Sequence, residues 1–227
     1  MPSALVTGGS SGIGLAIARM LRGEGYALTL AARKLERLEA AAGELDAVAV
    51  PVDVRDEAEC AGLVATHLQT HGGLDVLVNS AGVGIAARIG DTATKHFDLQ
   101  QSVNLRSAFL VTREALPALR ASRGYVVNLA SIAGTIPTPG LATYGAAKAA
   151  LIALTRSLVR EEQENGVRAT ALCPAFADTP MAEWTGLASA ALIRPEDCAE
   201  IVRALLRLSP AARVPVVVIE RAGDGVA

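Results

Sequence analysis

The chain has 227 residues, a formal net charge of -2, and hydrophobic residues at 51% against aromatics at only 3%. Its Lys and Arg are spread along the sequence, which argues against a nucleic-acid surface or an anionic membrane as partner. Three separated cysteines (Cys60, Cys173, Cys198) with no C-x-x-C spacing argue equally against a disulfide scaffold and a zinc site, so no metal is expected.

The first apolar run begins at residue 3 and meets glycines at residue 8, which leaves no room for a secretory signal. No apolar run approaches the ~18 residues needed to span a bilayer. A cytoplasmic setting is the expectation. In chain order, short apolar runs at 4–7, 27–31, 48–52, 76–79, 124–130, 167–173 and 216–219 read as strands. Helical three- and four-residue spacing fills 13–25, 34–45, 56–72, 91–120, 143–164 and 195–208. Strand and helix alternating throughout predict an α/β fold: a doubly wound, mostly parallel seven-stranded sheet with helices on both faces. No linker, repeat or charge block divides the chain, so residues 1–227 are expected to form one domain. The stretch 180–194, with the chain's only Trp, reads as a short lid.

The first strand runs into "TGGSSGIG" at 7–14, which opens the first helix. Glycines there permit a tight turn and let a pyrophosphate approach the backbone and the positive helix end. A dinucleotide site commonly has a carboxylate ~20 positions on, for the ribose 2′-OH. Here the second strand ends "LAARK", so Arg33 and Lys34 stand there instead. A guanidinium fork suits a 2′-phosphate, which favours NADP(H) over NAD(H).

Further on, "ATYGAAKAAL" places Tyr144 and Lys148 four residues apart, on one face of a helix built from small residues. Alone, such a pair is a partly exposed helix face. Together with the glycine loop it resembles the short-chain dehydrogenase/reductase family, single-domain branch, over residues 3 to about 181. More motifs match in order: "VDV" at 52–54, "NSAG" at 79–82, Asn104 in "SVNLRSAF", "NLASIAG" at 128–134 and "CPAFADTPM" at 173–181.

The resemblance implies Asn104, Ser131, Tyr144 and Lys148 as the catalytic set. For the cofactor it implies Gly8, Ser10, Ser11, Gly12, Ile13, Gly14, Arg33, Lys34, Asp53, Val54, Asn79, Ala81, Gly82, Tyr144, Lys148, Pro174, Phe176 and Thr179. Tyr144 would protonate the substrate oxygen, with Lys148 lowering its pKa and holding the nicotinamide ribose. Ser131 would orient the carbonyl, and Asn104 would hold a water leading to Lys148. Gly145, Ala146 and Ala147 would keep the wall beside the cofactor clear.

Two departures from the family pattern stand out. Ser80 replaces an Asn, and Ala175 replaces a Gly whose positive φ would strain an alanine. The lid is short, which implies an open cleft, and Trp184, Leu187 and Ile193 in it predict an apolar pocket. The C-terminal "VPVVVIERAGDGVA" lacks the glycine-rich "DGG" that often follows the last strand. The helix continuing from Lys148 is apolar on more than one side, so a homodimer or homotetramer is expected. His67 and His71, four apart on a helix, read as a solvated helix end, and His96 carries no signal.

The expected function is NADPH-dependent reduction of a ketone or aldehyde, or oxidation of the corresponding alcohol, on a small-molecule substrate. Alternatives are a non-catalytic NADP-binding sensor or scaffold, and a sugar epimerase or dehydratase.

Overall fold

The computed structural model of the chain describes residues 1–223. Seven strands form one parallel sheet: β1 (Ser3–Thr7), β2 (Ala27–Ala32), β3 (Val48–Pro51), β4 (Val76–Asn79), β5 (Tyr125–Leu129), β6 (Arg168–Pro174) and β7 (Val216–Ile219), in spatial order β3-β2-β1-β4-β5-β6-β7. Helices α1 (Gly12–Gly23), α2 (Leu35–Leu45) and α7 (Pro195–Arg207) share an apolar core with one face of the sheet. The opposite face carries α3 (Glu57–His71), α5 (Ser107–Ser122) and α6 (Ala142–Glu161), with α4 (Thr94–Gln101) leading into α5 through a π-helical turn, Ser102–Arg106.

Alternation along each strand divides its side chains between the two layers. In β1, Ala4 and Val6 join the core with Ile17, Leu21 and Leu38, while Leu5 faces Leu63, Val64 and Leu110. Burying one such leucine contributes about 1.5–3 kcal/mol. Aliphatic residues buried on both faces suit parallel strands, and the chain needs few aromatics to fill them.

The strand order reverses at β1, which has β2 on one side and β4 on the other. The loops leaving these strands diverge, and a crevice opens beyond their carboxyl ends. The glycine loop follows β1 into that crevice. The expected lid is not a bare loop: it folds into two 3-10 turns, Pro180–Thr185 and Ser189–Ala191. Of the C-terminal stretch lacking "DGG", residues 224–227 lie outside the described residues.

The histidine pair corrects the sequence reading. His67 is buried, with Nδ1 2.9 Å from Thr29 Oγ1 and Nε2 3.3 Å from Ser3 Oγ. His71 Nε2 lies 3.1 Å from the same Thr29 hydroxyl. The pair ties the end of α3 to β1 and β2, because both strands place a hydroxyl where the helix crosses them.

Candidate active site

The loop between β1 and α1 is compressed against β4. Gly8 has φ +66, and a β-carbon there would stand 2.8 Å from the Ser80 backbone. A β-carbon on Gly14 would meet the Gly8 carbonyl oxygen at 2.5 Å. Thr7 Oγ1 accepts hydrogen bonds from the N–H groups of Ser80 and Ala81, which locks β1 to the loop after β4.

In α1 the Leu15 N–H bonds to Ser11 O at 3.2 Å, Ser11 makes no side-chain cap, and no acidic residue occupies the first turn. The opening N–H groups and the positive dipole end are therefore available to an anionic group. A cradle that only glycines can line, ending at such a helix start, fits a dinucleotide pyrophosphate.

Two cavities meet at this loop. The smaller, about 220 Å³, is lined by Ser10, Ala31, Arg33, Lys34, Arg37, Asp53, Val54 and Ala81, among others. Arg55 takes up the Asp53 carboxylate, with Nε at 2.9 Å from both oxygens, and holds it well below the usual carboxylate range. Three cationic side chains therefore face a carboxylate that is already paired. Arg37 is absent from the residues expected from sequence. The signal was its position four residues after Arg33, which returns it to the same side once α2 begins at Leu35.

The larger cavity, about 380 Å³, has Gly12, Ile13, Ser131, Tyr144, Lys148, Pro174, Phe176 and Thr179 in its walls. Gly8, Ser11 and Gly82 line both cavities, so the two form one groove across the strand-order reversal. Ser131 follows β5 and caps a 3-10 turn, its Oγ accepting the Ala133 N–H at 3.2 Å. Tyr144 and Lys148 stand on α6. Lys148 is buried and donates from Nζ to the Leu129 carbonyl at 2.5 Å. Burial pushes its pKa down to about 8.

Burial raises the Tyr144 phenol above its ordinary range, and the neighbouring Ser131 hydroxyl works in the opposite direction. Lys148 Nζ is 5.7 Å from the Tyr144 ring centre. Burial therefore outweighs this ammonium in setting the direction of the phenol. One helical turn puts the two groups on one wall but leaves the charge some distance from the ring, and desolvation dominates.

Several expected site residues line neither cavity. Asn79 is buried and donates to Thr112 Oγ1 (3.0 Å) and Asn128 Oδ1 (2.8 Å), so its side chain joins β4 to β5 and α5. Asn104 lies in the π-helical turn, and both ends of its amide bind the Val83 backbone, at 2.9 and 2.8 Å. That amide pins the loop after β4. Gly14 acts through close packing against Gly8.

Gln100 escaped the sequence reading altogether. It is buried, accepts the Ile85 N–H at 3.1 Å and donates to Thr143 Oγ1 at 2.7 Å, linking that same loop to the residue before Tyr144. A lone glutamine in a polar helix carries no sequence signal for such a role.

Ala175 has no positive φ, so the expected strain does not arise; its N–H bonds to Ile219 O at 2.8 Å. In the lid, Trp184 lines the larger cavity. Ile193 instead packs into the core and Leu187 points outward, because only the first 3-10 turn borders the cleft.

The family model described as short chain dehydrogenase matches residues 2–188. The chain belongs to the short-chain dehydrogenase family. This short-chain dehydrogenase is 36% identical over 202 residues to an uncharacterized oxidoreductase of Staphylococcus epidermidis, covering 88% of both chains. A Staphylococcus aureus oxidoreductase is 37% identical over 203 residues, again with 88% of each chain covered. An alcohol dehydrogenase from the archaeon Thermococcus sibiricus, complexed with 5-hydroxy-NADP, superposes with TM-score 0.91 at 31% identity, covering 98% of this chain and 97% of the other. A Sinorhizobium meliloti dehydrogenase/reductase gives TM-score 0.87 at 32% identity, over 96% and 93% of the two chains. The short-chain dehydrogenase is thus an oxidoreductase with a Rossmann-like fold, of a family that binds a nicotinamide cofactor. Among the described residues no helix is long and apolar enough to cross a membrane.

Proposed function

We propose that this oxidoreductase uses NADP(H) to reduce a ketone or aldehyde, or to oxidise the corresponding alcohol, with Tyr144 as acid and base. The observation that carries the reading is the single groove. Its one end bears Arg33, Lys34 and Arg37, its middle is the glycine cradle, and its other end bears Ser131, Tyr144 and Lys148. The nucleotide end supports NADP(H) over NAD(H), since three cations match an extra phosphate better than a ribose hydroxyl. The Thermococcus sibiricus relative, complexed with 5-hydroxy-NADP, supports the same preference.

A bound nicotinamide supplies a hydride to the carbonyl carbon in reduction, or takes it back from the alcohol. Tyr144 gives its phenolic proton to the carbonyl oxygen as that carbon gains the hydride, so no bare alkoxide forms in an apolar cleft. Ser131 donates a second hydrogen bond to the same oxygen and fixes its place. Lys148 is held by the Leu129 carbonyl and contributes positive charge that favours the transient tyrosinate once the proton has left. Its remaining N–H groups are those that would hold the nicotinamide ribose. Asn104 acts on this site by holding the Val83 backbone. The proposed setting is cytoplasmic, and the exposed alanines of α6, Ala142, Ala146, Ala149 and Ala153, support close packing of a second copy in a homodimer or homotetramer.

Tyr144→Phe tests the assignment. Hydride transfer followed at 340 nm should be lost, with NADPH binding by calorimetry retained. Unchanged turnover would sink the reading.

A further inference from the structure

The larger cavity is lined almost without charge. Of all the residues in its walls, Lys148 alone carries one, and its ammonium is buried and bound to the Leu129 carbonyl. Among the described residues no Arg, Asp or Glu faces the space. The remainder of the substrate end is Ala86, Ile132, Leu141, Phe176, Met181 and Trp184, with the Thr138 hydroxyl beside them.

Trp184 meets Phe176 edge to face, with ring centres 5.8 Å apart and planes at 83°. Met181 lies over Gly84: a β-carbon there would sit 3.6 Å from its Sδ and 4.0 Å from Tyr144 Cε2. The thioether and the aromatic pair thus line the cavity beside Tyr144. Both lid residues keep much of their apolar surface open, Trp184 at 58% exposure and Met181 at 42%. The ionisable residues closest to them along the lid, Asp178 and Glu183, are acidic and lie outside the lining.

A carboxylate or phosphate drawn into this substrate end would lose its water and meet no cation but Lys148, whose ammonium is held at the Leu129 carbonyl and gives its remaining N–H groups to the nicotinamide ribose on the reading above. An ammonium would fare no better, since no carboxylate of the described residues is in the walls. The polar groups present, on Ser131, Tyr144 and Thr138, suit one carbonyl oxygen and at most one further hydroxyl. The other side chains at the substrate end, Ala86, Ile132, Leu141, Phe176, Met181 and Trp184, favour hydrocarbon.

We propose that this enzyme selects an uncharged, largely apolar carbonyl compound or its alcohol, with Trp184 as a specificity-determining residue. The proposal rests on the reading of the site as a carbonyl–alcohol oxidoreductase. It excludes keto acids, sugar phosphates and anionic carrier thioesters whose charge would have to enter the cleft.

Trp184 is the only tryptophan in the chain, so its emission reports occupancy of the lid without turnover. The test compares cyclohexyl methyl ketone with 4-acetylcyclohexane-1-carboxylate, which share a carbonyl and a ring and differ by one charge. In Tyr144→Phe loaded with NADPH, whose nicotinamide is uncharged and which does not turn the ketones over, the neutral ketone should change Trp184 emission saturably and bind about 100-fold more tightly than the carboxylate. In the parent enzyme with NADPH, kcat/KM should show the same preference. Trp184→Ala should raise KM for the neutral ketone about 10-fold with a smaller change in kcat.

Equal binding and equal turnover of the two ketones would overturn the selectivity and leave the oxidoreductase reading intact. An unchanged KM in Trp184→Ala would remove Trp184 from the proposal. Selective binding of the neutral ketone without turnover of either would support the selectivity and sink the oxidoreductase reading.

Discussion

Gly145 and Ala133 meet backbone to backbone: a β-carbon on Gly145 would stand 2.6 Å from the Ala133 carbonyl oxygen. The contact is reciprocal, since a β-carbon on Gly134 would lie 2.7 Å from the carbonyl carbon of Lys148. The turn that begins at Ser131 is thereby pressed onto the part of α6 that carries Tyr144 and Lys148. The expectation that Gly145 and its neighbours clear a wall for the cofactor gives way to a different reason. Gly145 is small so that three functional side chains, from two elements, reach one cavity; Ala147 is buried in the same packing.

Gly145→Ala should consequently separate Ser131 from Tyr144 by a few tenths of an ångström or more. The expected outcome is a fall in kcat of about 10–100-fold, from misplacement of the reacting groups. Overpacking should cost about 1–3 kcal/mol of stability. NADPH affinity should change little, because neither the glycine loop nor the cationic end is touched. Steady-state kinetics, calorimetry and thermal melts on one preparation separate these effects, and an unaltered kcat would remove the contact from the catalytic argument.

The cationic cavity makes its own prediction. Arg33→Ala and Arg37→Ala should each weaken NADPH by about 10-fold or more, the worth of a charge-assisted contact of roughly 1.5–3 kcal/mol. NADH should be affected far less. Comparable losses for both cofactors would show that these arginines do not read a 2′-phosphate.

Lys148 sets a pH limit. Burial brings its pKa down to about 8 from an ordinary value of 10.5, so its charge is present below pH 8 and is lost as pH rises through that value. If the charge supports the tyrosinate, kcat/KM for reduction should fall above about pH 8. Lys148→Met should lower activity and erase that inflection, whereas a profile that keeps it would assign the titration to another group.

His67 predicts a different pH dependence, in stability rather than rate. Its pKa is lowered from 6.5 to about 4, chiefly by burial and then by the neighbouring His71. The folded state thus holds His67 neutral while the unfolded chain takes up a proton. Stability is fully present above pH 6.5 and is lost progressively as pH falls toward 4, by an amount on the order of 3 kcal/mol. Urea unfolding at pH 7.5, 5.5 and 4.5 should show the decline, and His67→Gln should flatten it. A His67→Gln curve as steep as that of the parent would place the effect elsewhere.

Much of this protein was legible in the chain. The alternation of apolar runs with helical spacing predicted a seven-stranded parallel sheet, because strand and helix periods are local properties that each segment carries alone. The glycine loop was readable at its place between β1 and α1, and Ser131, Tyr144 and Lys148 could be named through the family resemblance that their motifs carry. Arg33 was visible because a strand end is a position with known neighbours.

The tertiary structure decided how these groups meet and what each one feels. Burial sets the direction of the Tyr144 and Lys148 shifts, and burial depends on elements far apart in sequence. Asn79 and Asn104 keep their expected positions, yet their amides bond to neighbouring backbone and side chains instead of lining the groove, since hydrogen-bond partners are chosen by packing. The same holds for His67, whose two hydroxyl partners come from β1 and β2, and for Gln100. Gly145 shows the division plainly. Its small size is written in the sequence, but the carbonyl that requires it belongs to a turn twelve residues earlier, brought there by the fold.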